Sequence, residues 1–380
     1  MLTREDFYRI LRDTIIDYAH TVLQEDIKCE YEPFEDSEAW CINAALGFVA
    51  RTPVPKGVRT YMKSEYNVRG SLVKNVIGKV AVDLIPDFPS IGTIKKVFVS
   101  RSAFAPSIFI VPQNRSIRFY DYERMTVDCI IKSGFTNKYF NNQIDFRTNY
   151  SYDFLNPMLA NGDGWFREKV LMGHPLVRTT DKELFEKGMG KALDYLKVLA
   201  KDTLEWVAVE PYVESMKEDA IRKTVLAKET KRIREVDAVL RLLDIAVQLA
   251  RTITTDIPTC TSHGDLQSGN IWVEPSGKTL VYDWETAGRR SVWYDSATLC
   301  YSLRRAYGWK LMIGDISVDN LVKCVPDGIE ARMSRRGIIG VLLLEDLLFY
   351  LEDMLELPNE WGRESFDGFI ARLKSLNWNL

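Results

Sequence analysis

The sequence predicts an α+β chain: a mainly helical N-terminal extension, a small β-rich lobe, then a larger helical lobe broken once by a loop and a hairpin. Three observations predict it. Apolar residues recur at helical spacing near both ends of the chain. Short apolar, β-prone runs separated by turn residues crowd together after about residue 94. Within the helical remainder, only Thr259–Glu285 reads as turn and strand. The expected divisions are 1–93 for the extension, whose role is open, 94–170 for the small lobe and 171–380 for the helical lobe.

Each element has its own signal. Phe7, Ile10, Leu11, Ile15, Ala19 and Leu23 fall three or four apart and predict a helix over 3–24. Pro53-Val54-Pro55-Lys56-Gly57 marks a turn. Ser71–Leu84 reads as a second helix, stopped near Pro86 and Pro89. The runs Val97–Val99, Ile108–Val111, Ile117–Tyr120 and Val127–Ile131, divided by Pro106 and Pro112-Gln113-Asn114, predict a small antiparallel sheet, and 138–148 a helix. Asp181 is an N-cap for a helix over Lys182–Trp206. A second long helix is expected over 212–254, its charged half from Lys217 to Asp237 being a solvated face. Leu342–Leu357 is an amphipathic helix.

Composition excludes several classes. In 380 residues, 46% are hydrophobic and 27% charged, which is ordinary for a globular chain and excludes a disordered one. Lys+Arg 50 against Asp+Glu 53 leaves a net charge of −3, so no nucleic-acid partner is expected. Apolar runs such as Val341–Leu344 fall far short of the roughly 20 residues a membrane span needs. Met1–Asp6 is charged, and no secretory leader is expected. None of the six cysteines forms a C-x-x-C pair, which points to a reducing, cytoplasmic compartment. Three histidines are too few for a His-rich metal site.

The chemistry is concentrated in His263-Gly264-Asp265-Leu266-Gln267-Ser268-Gly269-Asn270, which has the H-x-D-L-x-x-x-N spacing of a kinase catalytic loop. Ile271-Trp272-Val273, a turn at Pro275-Ser276-Gly277, and Leu280-Val281-Tyr282 follow, ending in Asp283. Phosphoryl transfer needs these types. A carboxylate, Asp265, aligns the acceptor hydroxyl and takes its proton. Hard Mg²⁺ prefers oxygen ligands, here the Asn270 amide and the Asp283 carboxylate. His263 is expected to brace the loop. A plain Asp/Asn-rich turn holding a hairpin is the bland alternative.

The segment His263–Glu285 resembles the catalytic core of the aminoglycoside phosphotransferase and choline kinase-like family, and Asp283-Trp284-Glu285 matches that group's metal motif rather than the Asp-Phe-Gly of protein kinases. Tyr294-Asp295-Ser296-Ala297 is similar to the group's Y-D-L-A helix start, where Asp295 would fix the catalytic loop from below. The close match runs over residues 261–300. The resemblance implies a two-lobed protein-kinase-like fold, ATP or GTP with Mg²⁺ as cofactors, and a small-molecule hydroxyl as acceptor.

It also implies a nucleotide side. The expected phosphate loop is Ser100–Ser107, with Ser100 and Ser102 near phosphate; the expected strand lysine is Lys132. The partner acid on helix 138–148 is either Asp145 or replaced by the neutral amide of Gln143. Trp165–Leu176 resembles the hinge, with backbone groups of Lys169–Leu171 reading the base and Val170 and Met172 enclosing it. On the acceptor side, Glu345, Asp346, Glu352, Asp353 and Glu356 suit a cationic acceptor or are simply a solvated acidic face. Trp284, Trp293 and Trp361 are stacking candidates, and Arg289, Arg290, Arg304 and Arg305 would favour an anion. A non-catalytic nucleotide-binding module and a protein kinase are the competing readings.

Overall fold

The nine-stranded antiparallel sheet that organises the N-terminal half begins well before residue 94. Its strands are β1 (Cys29–Glu30), β2 (Ser37–Asn43), β3 (Phe48–Arg51), β4 (Thr93–Ser100), β5 (Ile108–Pro112), β6 (Ser116–Asp121), β7 (Thr126–Ile131), β8 (Met158–Gly162) and β9 (Trp165–Lys169). They lie in the order β1-β4-β2-β3-β5-β6-β7-β9-β8. The computed structural model describes all residues except 1–5, 45, 67–91, 102–103, 316–320, 322–324, 327–333, 358–359 and 379–380, so the helix expected over Ser71–Leu84 lies outside the described residues.

The expected division at 93/94 is therefore corrected. β4 pairs with β2 from Ser37↔Ser100 to Asn43↔Thr93, so residues 29–51 are part of the sheet and not a separate, mainly helical extension. The chain divides into two compact units, 1–188 with 269–285, and 189–268 with 286–380. The break expected at 170/171 likewise falls inside the first unit.

Both faces of this sheet are covered, which is why its strands read as continuous apolar runs. Ile108 and Ile110 of β5 point to one core, with Ile117 and Phe119 of β6 and with Phe7, Leu11, Ile15 and Tyr18 of α1 (Phe7–Tyr18). Phe109 and Val111 point to the other, with Val58 and Met62 of α2 (Lys56–Tyr66) and Phe140 of α3 (Lys138–Asn149). Period-two alternation sends neighbours to opposite faces. Tyr18 stacks on Phe119 with ring centroids 3.6 Å apart, and its hydroxyl donates to Asp128 at 2.7 Å. Arg167 closes this buried group with two bonds to the same carboxylate, at 2.5 and 2.7 Å.

A second sheet in this unit pairs β10 (His174–Pro175), β13 (Ile271–Val273) and β14 (Thr279–Val281). This is the expected hairpin. Val281 N donates to Phe154 O at 2.8 Å, which fixes the strand end that precedes Asp283.

The second unit is mainly helical. Asp181 caps α4 (Lys182–Asp202) by accepting from Glu183 N and Leu184 N, as expected. That helix stops short of Trp206, because Thr203 bonds back to Leu199 O and residues 205–207 form β11 against β12 (Ile257–Ser262). The helix expected over 212–254 is two helices, α5 (Val209–Glu229) and α6 (Val236–Ala250). Lys231 takes φ +55 between them, and Arg232 donates to Met354 O at 2.8 Å. Beyond β15 (Gly288–Ser291) lie α7 (Tyr294–Cys300), α8 (Gly308–Gly314), α9 (Arg335–Glu356) and α10 (Glu360–Lys374). α9 is the centre of the unit. Ser334 caps it, and Ile338–Leu344 are buried without a break. A Cβ on Gly340 would sit 2.2 Å from Ala250 N, so only glycine lets α9 approach α6 this closely. Glu345 and Asp346 are 1% and 0% exposed, which corrects the solvated acidic face for these two residues. No helix among the described residues is long and apolar enough to cross a membrane.

Trp40 of β2 is fully buried, edge-on to Phe104 and capped by the Arg51 guanidinium 4.9 Å from its ring. Trp40→Ala should lower stability by about 3–5 kcal/mol in urea titration, in one transition with the rest of the sheet. An independent appendage would leave that main transition where it was.

Candidate active site

In the second unit, the loop after β12 is held by buried carboxylate and guanidinium groups. Asp295, at the start of α7, accepts from His263 N at 2.6 Å and from Gly264 N at 2.9 Å. Gly264 has φ +84, and a Cβ there would meet Thr286 O at 2.3 Å, so the turn requires glycine. His263 is fully buried; its Nδ1 accepts from Asp265 N at 3.3 Å, and Thr286 Oγ1 donates to its carbonyl at 3.0 Å. Its contacts are those of a brace.

Asp265 keeps 27% of its side chain exposed. Gln267 Nε2 donates to both of its oxygens at 3.1 and 3.2 Å, and Arg304 Nε donates to Oδ1 at 2.7 Å. Arg304 was named in the sequence only as one of several cations. The structure gives it a specific place: its side chain is 8% exposed, and it also donates to Gly264 O at 3.0 Å, Tyr294 Oη at 2.8 Å and the buried Asp346 carboxylate. Asp346 further accepts from Tyr294 Oη at 3.0 Å and Trp309 Nε1 at 2.8 Å. Burial pushes the Tyr294 hydroxyl well above its ordinary range, so it stays a neutral donor.

Glu345, one residue earlier on α9, accepts from Ser291 N, Ser291 Oγ at 2.7 Å and Tyr212 Oη at 2.5 Å. Burial outweighs these donors and pushes its carboxyl up to about 7.

In the first unit, Asn270 and Asp283 line one cavity, together with Glu285, Arg115, Arg118 and Trp272. Asp283 follows the end of β14 at φ +70, a conformation Asp tolerates better than most residues. The Trp284 indole closes the turn by donating to Val281 O at 2.9 Å and stacks on Phe146 at 4.1 Å. Trp284 and Trp293 are therefore core residues, 1% and 2% exposed, rather than stacking surfaces for an acceptor, and the Trp361 side chain lies outside the described residues. An amide oxygen with two carboxylates is a donor set that fits a Mg²⁺ ion sharing its other positions with phosphate and water.

Several expected nucleotide contacts are elsewhere. Ser100 ends β4 and exchanges bonds with Lys28 at a sheet edge, and Ser102 lies outside the described residues. The hairpin loop at the cavity is instead Gln113–Ser116, between β5 and β6. Lys132 is 1% exposed and does not line the cavity; its Nζ donates to Asn114 O at 3.0 Å, bracing that loop. Asp145 is exposed on α3, while Gln143 is buried and lines a small second cavity beside Asp283. Lys169 and Leu171 do line the main cavity, but Lys169 O is taken by Asn156 and Val170 N by Met125 O. Val170 and Met172 do not line it; its lining includes Leu171, Val127, Tyr61, Tyr120 and Trp272.

Comparison with known proteins bears on this geometry. Residues 200–314 match the phosphotransferase enzyme family. That stretch includes the loop, Asp283 and Tyr294–Ala297, so the resemblance read in the sequence holds over the residues that carry it. No curated protein matches the chain. Among solved structures, a choline/ethanolamine kinase family protein from Mesorhizobium loti aligns over 72% of this chain and 89% of its own, at 14% identity and a TM-score of 0.46. An ethanolamine kinase from Plasmodium vivax aligns over 70% and 80%, at 13% identity and 0.45. A thermostable mutant of an aminoglycoside phosphotransferase aligns over 71% and 95%, at 12% and 0.45.

Two measurements test the buried charges. Arg304→Met should cost about 3–5 kcal/mol in denaturant titration, because it strands the Asp346 carboxylate without its cation. Glu345 binds its proton in the folded state between the ordinary carboxyl range and pH 7, where the unfolded chain has lost it. Its contribution is thus fully present at acid pH and is lost as pH rises through about 7. The stability of Glu345→Gln relative to the native protein should accordingly rise by up to about 3 kcal/mol between pH 4.5 and 8. A flat difference would show that Glu345 titrates normally.

Proposed function

We propose that the chain transfers the γ-phosphoryl group of a Mg²⁺-bound nucleoside triphosphate, ATP or GTP, to a hydroxyl of a small molecule. The observation that carries this reading is the pair of fixed carboxylates: Asp283 in a cavity with Asn270 and cationic side chains, and Asp265 on a braced loop and still open to solvent. The family match over 200–314 supports it. In this reading Asp265 orients the acceptor oxygen toward phosphorus and takes its proton as the oxygen–phosphorus bond forms and the nucleoside diphosphate leaves. Gln267 and Arg304 hold that carboxylate in one orientation. The Mg²⁺ ion supplies charge neutralisation of the phosphate oxygens, and Asn270 and Asp283 would hold it. The acceptor class suggested by the family resemblance is a sugar, an aminoglycoside or an amino alcohol.

A second reading, a nucleotide-binding module without turnover, is favoured by the removal of Lys132 and Asp145 from the cavity. Thermal unfolding with Mg²⁺ and ATP or GTP, followed by phosphate transfer to a panel of amino alcohols and aminoglycosides, separates the two. The phosphotransferase reading expects a Mg²⁺-dependent stabilisation that Asp283→Ala loses. Asp265→Asn should keep that stabilisation and lose transfer by about 10²–10⁴-fold. Stabilisation without transfer to any acceptor would favour the module, and no stabilisation by either nucleotide would remove both.

A further inference from the structure

The small second cavity of the first unit holds a pair of charges with unexpected polarity. A strand lysine and a helix acid were expected. Here the helix gives the cation and the strand the anion: Arg147 of α3 pairs with Glu168 of β9 at 2.8 Å, with side chains 5% and 8% exposed. Arg147 also donates to Asn156 O at 2.7 Å. The pair thus ties helix to strand and leaves Glu168 already committed to a cation.

One cation lines both cavities of this unit. Arg118 sits on β6, with strands β5 and β7 on either side, and it lines both the main cavity and the small one, each of which also contains Asp283. Its Cα partner on β7 is Cys129, a small buried residue, and its guanidinium has Tyr120 as a hydrogen-bond partner and Glu168 as a nearby anion. Its Nε is buried and has no hydrogen-bond partner among the described residues. The Arg147 Nε is likewise unmet, but Arg118 also lines the main cavity and Arg147 does not, and a guanidinium is built to meet phosphate oxygens through two parallel bonds. Arg115, the other arginine of the main cavity, is bound to Glu285.

We infer that Arg118 is the phosphate-contacting cation of this site, taking the part expected of the strand lysine, and that Lys132 is a structural brace for the Gln113–Ser116 hairpin. The ligand class is the polyphosphate of a nucleoside di- or triphosphate. The inference rests on the proposed function, and its test separates the two.

Titration calorimetry with Mg²⁺-ADP, and with adenosine as a probe lacking phosphate, reads the difference. Arg118→Met should weaken Mg²⁺-ADP by about 10- to 100-fold, the value of charge-assisted bonds to an ionised group, and leave adenosine binding unchanged. Arg118→Lys, which keeps the charge and loses the fork, should fall in between and guards against a variant that fails to fold. Lys132→Met should lower the melting temperature while weakening Mg²⁺-ADP and adenosine by the same small factor. Native-like Mg²⁺-ADP affinity in folded Arg118→Met, or a loss confined to Mg²⁺-ADP in Lys132→Met, overturns the inference and leaves the proposed function standing. Failure of the unaltered protein to bind Mg²⁺-ADP overturns both.

Discussion

The candidate catalytic loop depends on one buried guanidinium. Arg304 reaches the Asp265 carboxylate, the Gly264 carbonyl, the Tyr294 hydroxyl and the Asp346 carboxylate, and so links the loop to α7 and to the central helix α9. A buried cation is costly unless its donors are met, and here Asp346 and Asp265 both supply negative charge. Asp346 is in turn saturated by Tyr294 and Trp309. The group is thus satisfied on all sides, and rotating Asp265 away would leave the buried Arg304 Nε without its acceptor. Rigidity at the Asp265 carboxylate is obtained from the folded core rather than from the loop itself.

The same economy explains α9. A helix packed on every side should be wholly apolar, yet Glu345 and Asp346 stand adjacent in its middle. Adjacent residues on a helix point about 100° apart, so the two carboxylates serve different neighbours. Asp346 meets Arg304, while Glu345 meets the Ser291 and Tyr212 donors at the end of β15 and on α5. One is neutralised by a cation; the other is paired with neutral donors only and holds its proton up to about 7.

The elements written in contiguous residues were legible. The loop His263–Asn270, the hairpin after it, the Asp181 cap and strands β5 to β7 all follow from local spacing. Long-range partners were not. Residues 29–51 lack a strand signal as clear as that of 108–131, and nothing local says that β2 pairs with a strand some fifty residues away. The acidic positions on α9 read as a polar face because a sequence shows that charge is present, not that Arg304, Tyr212 and Ser291 arrive to meet it. The division of 212–254 was lost for a related reason: Arg232, one of many charges there, is the residue that leaves the helix to bind the end of α9.

The nucleotide side shows why residue type is a weak guide to role. Electrostatics at such a site asks for a positive group near phosphate, oxygen ligands near the metal, and a tie between α3 and the sheet. None of these demands fixes which element supplies which sign. An arginine on a helix and a glutamate on a strand make the same tie as the reverse arrangement, since the pair energy is symmetric in the two charges. What is not symmetric is the surrounding space. Arg118 stands in register with the small Cys129 and shares the cavity lining with Tyr120 and Glu168. Lys132 follows the last residue of β7 and reaches the back of the hairpin turn instead of the cavity. Register within a sheet, which spacing along one strand does not reveal, therefore decides which cation lines the cavity.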